Sequence, residues 1–217
     1  MTSGTPPRQR ADTPSSDDWH RISEELLEGL VHALNNRVAA LTAFVELARL
    51  GDEEGNPLTV LPDEIARLHE VNALFGMLPE RGSSAEALDL RAVLDDAIRL
   101  HEHHPGLRGE PLAMAFDDAP VVVRAPRWAL VRVLVMLVHA AKRAVERGRG
   151  AEGATLHVRG DDTTIGLYAA AAVEPSADLI ALAERCSGSV TREGGELVLR
   201  LPSLRELRRR EREGRGD

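Results

Sequence analysis

The sequence predicts an α+β chain, in which a helical hairpin that dimerises into a four-helix bundle is followed by a two-layer α/β sandwich. Two apolar seams at heptad spacing within the first eighty residues predict the hairpin. Alternating helix and strand patterns from Leu88 to Pro202 predict the sandwich. A hydrophobic share of 43% is enough for packed cores, but aromatics are only 3%, so Leu, Val and Ala must fill them. Lys plus Arg is 27 against 35 for Asp plus Glu, a formal net charge of -8, which argues against a protein that coats nucleic acid. A single cysteine, Cys186, excludes a disulfide framework and a cysteine-based zinc site. No stretch approaches the roughly 20 apolar residues that span a bilayer. The N-terminus lacks a signal-peptide core. The expectation is a cytoplasmic protein with neither membrane nor nucleic acid among its partners.

Residues 1–16 are rich in Ser, Thr and Pro and read as a disordered leader. Residues 17–80 form the hairpin. Ser16 or Asp17 is the expected cap, and no proline interrupts Trp19 to Leu50. Within that span Leu27, Val31, Leu34, Val38, Leu41, Val45 and Ala48 step by alternating fours and threes, an a/d seam. GDEEGNP, residues 51–57, is turn chemistry. Leu61, Ile65, Leu68, Asn72 and Phe75 then repeat the seam, with Pro62 tolerable in the first turn. One hairpin cannot cover faces this wide, so the chain is expected to be a homodimer.

Residues 80–87 (ERGSSAEA) read as a linker, and residues 87–202 as the sandwich. Its expected elements are a helix over Leu88 to Leu100, strand-like runs LAMAF and PVVVR about a DDAP turn, and an apolar helix over Ala125 to Arg147. Strands TLHVRG and TIGLYAAAA, a helix ADLIALAERC, and a hairpin about Gly194–Gly195 complete it. Residues 203–217 mix six Arg with four acidic residues, a solvated helix or tail.

The stretch from Val31 to Val38 carries the main chemical signal. With Val31 and Leu34 in the seam, His32 and Asn36 fall one turn apart on the solvent face. An exposed neutral imidazole is a nucleophile able to accept a phosphoryl group. Ala39, Ala40 and Ala43 leave a smooth surface beside it where a partner's helix can lie close. Spacing alone does not separate this from an ordinary surface histidine.

His32-Ala33-Leu34-Asn35-Asn36 resembles the phosphoacceptor box of two-component sensor histidine kinases, in the subfamily whose motif reads His-acid-hydrophobic-Asn-Asn. Leu61–Leu78 resembles the second helix of that family's dimerisation and phosphotransfer hairpin. Leu88–Leu100, Leu130–Ala144 and Leu197–Pro202 resemble successive parts of its ATP-binding domain. The resemblance implies that the sandwich is of the histidine-kinase ATPase type, with His32 as phosphoacceptor and Asn36 positioning the phosphoryl group or a water. The departures are systematic. Met136 and Ala140 stand where the family places metal- and phosphate-holding asparagines, and Ala169–Ala172 replace its adenine-reading acid and glycines. Too few residues separate Ala172 from Leu179 for a lid, and Ala33 replaces the acid beside the acceptor. Phosphoryl transfer from ATP rests almost wholly on such positioning and electrostatic groups. The expectation is therefore a histidine phosphotransfer protein of a bacterial phosphorelay, without autokinase activity. It would use no ATP and no magnesium of its own, and its partners would be response-regulator receiver domains. Two alternatives stand beside it, a divergent active kinase and a non-enzymatic dimeric scaffold.

Other polar groups are read as structural. His101, His103 and His104 (HEHHP) look like a solvated helix end rather than metal ligands. His139 reads as a core histidine, and Asp117–Asp118, Asp161–Asp162, Glu152-Gly153 and Gly194-Gly195 as turns.

Overall fold

The computed structural model describes residues 18–50, 59–80, 82, 84–117, 121–147 and 153–213. The expected leader, its cap at Ser16 or Asp17, the 51–57 turn, Asp118 to Pro120 of the DDAP turn, Glu152 and the last four residues lie outside these. Helices α1 (Asp18–Leu50) and α2 (Leu61–Phe75) form the hairpin. Strand β1 (Glu86–Asp89) leads into α3 (Leu90–His101), and β2 (Leu112–Phe116), β3 (Val122–Ala125) and α4 (Arg127–Glu146) follow. Next come β4 (Ala154–Gly160), β5 (Thr164–Ala169), α5 (Ala177–Arg185), β6 (Ser189–Glu193), β7 (Glu196–Pro202) and α6 (Leu204–Glu213). The chain is α+β.

The main sheet runs β2-β4-β5-β7-β6, with β2 parallel to β4 and the other pairs antiparallel. Leu156, Val158, Ile165, Leu167, Leu197, Leu199 and Leu201 alternate along three strands and join one core. Above them lies α4, buried at Leu130, Val133, Leu134, Leu137 and Val138, flanked by α3 and α5. Local chemistry agrees at each junction. The Asp89 carboxylate caps α3 by accepting from the Arg91 N–H, and the Ser176 hydroxyl caps α5 by accepting from the Leu179 N–H. Gly194 and Gly195, with φ of 55° and 94°, make the tight β6–β7 turn. Asp96 is buried between Arg99 and Arg127, at 2.7 and 2.5 Å, tying α3 to α4.

One expectation is corrected, and two arrangements appear that the sequence reading did not specify. Glu86 and Ala87 belong not to a linker but to β1, which pairs antiparallel with β3 (Leu88 opposite Val123), so α3 starts at Leu90. The strands either side of the DDAP turn do not pair with each other, because β2 finds its partner across α4 in β4. The hairpin is also not separate from the sandwich. Ile22, Leu26 and Leu30 of α1 and Val71 and Leu74 of α2 are buried in the same core as α3 and α4.

Leu134 is completely buried under the sheet. Leu134→Ala should cost about 2–5 kcal/mol of stability, read as a lower urea midpoint at unchanged denaturant slope.

Candidate functional site

His32 is exposed on α1. One turn on, Asn36 donates an amide N–H to Nε2 of His32 at 3.1 Å. In that arrangement Nε2 presents its lone pair and the ring proton sits on Nδ1. The next residue, Arg37, reaches across to α2 and donates to Glu64 at 3.2 Å, and Arg67 donates to the same carboxylate at 2.5 Å. Burial works against the Glu64 charge, but the hydrogen bonds and charges of Arg67 and Arg37 together hold its pKa below the ordinary value. The turn that carries His32 is thus clamped to α2. Ala39 and Ala43 are exposed and Ala40 is half-buried, leaving the low surface expected beside the imidazole.

The seam itself is uncovered. Val31 and Val38 are 46% and 49% exposed, and Leu27, Val45 and Ile65 are also open, while Leu34 and Leu41 are half-buried. The N-terminal half of α1 uses a different stripe, with Ile22, Leu26 and Leu30 facing the sandwich. Arg132 of α4 lies 5.0 Å from the ring centres of both Trp19 and Trp128 and donates to the Leu78 carbonyl. Asp178 of α5 accepts from the Trp19 N–H. Gly29 is pressed against the loop after α3 so closely that a Cβ there would sit 1.6 Å from the carbonyl oxygen of His103.

The histidines of HEHHP are the clearest correction. His101 and His104 are buried rather than solvated, and with His139 they form a cluster with ring centres 5.0 to 5.5 Å apart. His104 donates from Nε2 to Glu25 of α1 at 2.5 Å, while the Gly106 N–H donates to its Nδ1. His101 Nε2 and His139 Nδ1 are 3.3 Å apart, sharing one hydrogen bond. Burial, then the Lys142 charge, pushes His101 down to about 3, and burial, then the neighbouring rings, pushes His139 down to about 2. His139 is a core histidine as expected. Cys186 is buried as well, its thiol pushed up to about 12 by burial. Among the described residues no group of three or more His, Cys, Asp or Glu is arranged to hold a metal ion.

Arg132, Met136, His139, Ala140 and Arg143 share one face of α4. Trp19 lies against Arg132, and Met136 and His139 are buried. Ala169 ends β5 and Ala171 is buried, and residues 170–176 alone link β5 to α5. Sequence reading missed Arg37, Glu64 and Glu25. The signal available was the spacing Glu64 to Arg67, an acid–base pair on an otherwise apolar helix face.

No family model matches the sequence, and neither does any curated protein. The fold has neighbours among solved structures. The histidine kinase AdeS of Acinetobacter baumannii is 14% identical, over 80% of this chain and 98% of that one, with a TM-score of 0.43. A histidine kinase of Burkholderia phymatum is 17% identical, over 86% and 97%, with a TM-score of 0.40. A protein described as a bacterial phosphotransferase is 14% identical, over 87% and 97%, with a TM-score of 0.38. Histidine kinases recur among these solved structures. Among the described residues no helix is long and apolar enough to cross a membrane.

Two outcomes follow from the geometry. His32→Ala should change stability by no more than about 0.5 kcal/mol in chemical denaturation, since the ring is exposed and bonded only to Asn36. The lowered Glu64 pKa stabilises the hairpin fully above the ordinary carboxylate range and progressively less as pH falls through the lowered value. Glu64→Gln should therefore flatten the fall in denaturation midpoint between about pH 5 and pH 2.

Proposed function

We propose that this chain is a histidine phosphotransfer protein of a two-component phosphorelay, passing phosphoryl groups between receiver-domain aspartates through His32 without using ATP. The observation that carries the reading is the state of His32. It is an exposed imidazole whose Nε2 lone pair is held by the Asn36 amide, on a turn fixed to α2 by Arg37 and Glu64, beside a low alanine surface.

Transfer needs little else from this chain. Nε2 attacks the phosphorus of an aspartyl phosphate, the P–O bond to the aspartate breaks, and the carboxylate leaves as an anion. The imidazolium then releases the Nδ1 proton to solvent. The receiver supplies the magnesium and the acidic pocket that hold the transferring group. Asn36 must let go of Nε2 as the N–P bond forms, and its amide N–H is then placed to meet a phosphoryl oxygen. Asn36 acts here as a positioning residue.

The absence of ATP use rests on the α4 face. Met136 and His139 are buried there, Arg132 is stacked on Trp19, and Ala169 and Ala171 are core residues. Such a face offers a nucleotide neither metal ligands nor room. An exposed apolar seam on α1 and α2 supports a homodimer in which a second copy covers Leu27, Val31, Val38, Val45 and Ile65. Covering it gains about 25 cal/mol per Å² of apolar surface, and it continues the stripe that the hairpin already half-buries at Leu34 and Leu41.

Incubation with a phosphorylated receiver domain should label the wild-type protein with a mark that acid removes and base spares. His32→Ala should take no label, and Asn36→Ala should change the rate of gain or loss. Label of equal extent on His32→Ala sinks the reading in favour of a scaffold. Magnesium–ATP should give no heat of binding in calorimetry, and micromolar binding would favour an active kinase. Light scattering should find a dimer at micromolar concentration, shifted to monomer by Val38→Glu with Val45→Glu.

A further inference from the structure

The histidine cluster takes no part in phosphotransfer at His32, yet it lies where α1 meets the sandwich. It contains a chemical oddity. Nδ1 of His101 and Nε2 of His139 are both buried and have no hydrogen-bond partner. A neutral pair sharing one hydrogen bond leaves one ring with an unmet lone pair and the other with an unmet N–H. Buried polar atoms of this kind are costly and uncommon. Here they sit against an interface that also includes Glu25 to His104, Trp19 to Arg132 and Asp178, Gly29 against His103, and the buried Ile22, Leu26 and Leu30.

We propose that His101, His104 and His139 with Glu25 form an acid-opened latch, in which proton uptake by His101 and His139 releases the N-terminal half of α1 from α3 and α4. Every element packed on the cluster contributes charge to it. From α1 come Arg21 and Glu25, from α3 and its following turn Glu102 and His104, and from α4 Lys142, Arg143 and Glu146. Lys142, Arg21 and Arg143 repel a second positive charge, and the rings repel one another. Only Glu25 has an oxygen bonded to the cluster, and it is occupied by His104. The closed cluster therefore has no place for protons that water would welcome once α1 lifts away.

The sign follows from the shifts. Closed, His101 and His139 lie at about 3 and about 2; opened, each returns toward the ordinary value of 6.5. Groups held below their free value stabilise the closed state fully above about pH 6.5 and progressively less below it. With two protons taken up, the opening constant rises by about a hundredfold per pH unit once well below that value. The docked stripe runs through Leu30 to Ala33, so exposed His32 stands at its edge. Opening changes the surface that a partner meets there, whatever chemistry His32 performs.

The chain carries its own reporter, because its two tryptophans, Trp19 and Trp128, both lie against Arg132 at this interface. In the full-length protein, tryptophan emission should move to longer wavelength as pH falls from about 8 to about 5, with its onset near pH 6.5, while far-UV circular dichroism stays constant. Gly29→Ala should show the shifted emission already at about pH 8, since no Cβ fits against His103. His101→Phe with His139→Phe should remain closed to about pH 5. The single variant His139→Leu, should the pair fold poorly, should halve the steepness of the transition. His20→Gln, beside Trp19 but exposed and paired with Glu24, should leave it intact. Emission that stays flat in the wild type, a shift that appears only with loss of helical signal, or a transition unchanged in His139→Leu would each overturn the latch.

Discussion

Helix α4 is buried at fourteen of its twenty positions, and a helix that is apolar nearly all round must be covered on every side. The sheet takes one side of it, and α3 and α5 take the flanks. The side left over receives the N-terminal half of α1. Most of the chain's arrangement follows from that requirement. The hairpin cannot swing as a free arm while Ile22, Leu26 and Leu30 complete the cover of α4, and Trp19, Gly29 and Glu25 are the residues that fit it in place.

Meeting that requirement divides α1 into two helices' worth of work. Its first turns present residues 22, 26 and 30 to the sandwich, while its later turns present 34 and 41 to α2 and leave 31, 38 and 45 in solvent. A stripe stepping by four drifts around an α-helix, so the two faces diverge without any kink. The heptad seam was legible because it persists over three repeats. The shorter stripe at 22, 26 and 30 was not, because its partners are residues of α3 and α4 more than sixty positions away.

The same division between local and distant information runs through the sandwich. The Gly194–Gly195 turn, the Asp89 cap and the apolar run of α4 are written within a few residues of where they act. The pairing of β2 with β4 and of β1 with β3 depends on what lies across a helix, so neither partner was legible locally and Glu86 looked like part of a linker. His32 and Asn36 were legible as a pair because helical spacing alone sets them one turn apart. HEHHP misled for a specific reason. Its polarity suggests solvent, yet His101 continues the buried stripe of Leu90, Leu94, Ala97 and Leu100, and that periodicity is a better guide to burial than residue type.

The α4 face also bears on which side chains positions 136 and 140 can hold. An asparagine at 136 would bury an amide among apolar neighbours, and an unmet buried amide costs about 1–3 kcal/mol. Methionine there fills irregular space instead, and Ala140 is small enough to pack at the edge of the core. Apolar residues at these positions and a docked α1 are mutually dependent, since each excludes water from the other. A polar substitution there would not open the face, because α1 would still lie over it and the new amide would have no water. The histidines fit the same logic. His101 and His139 lie beneath the docked α1, and the burial that closes this surface holds them neutral.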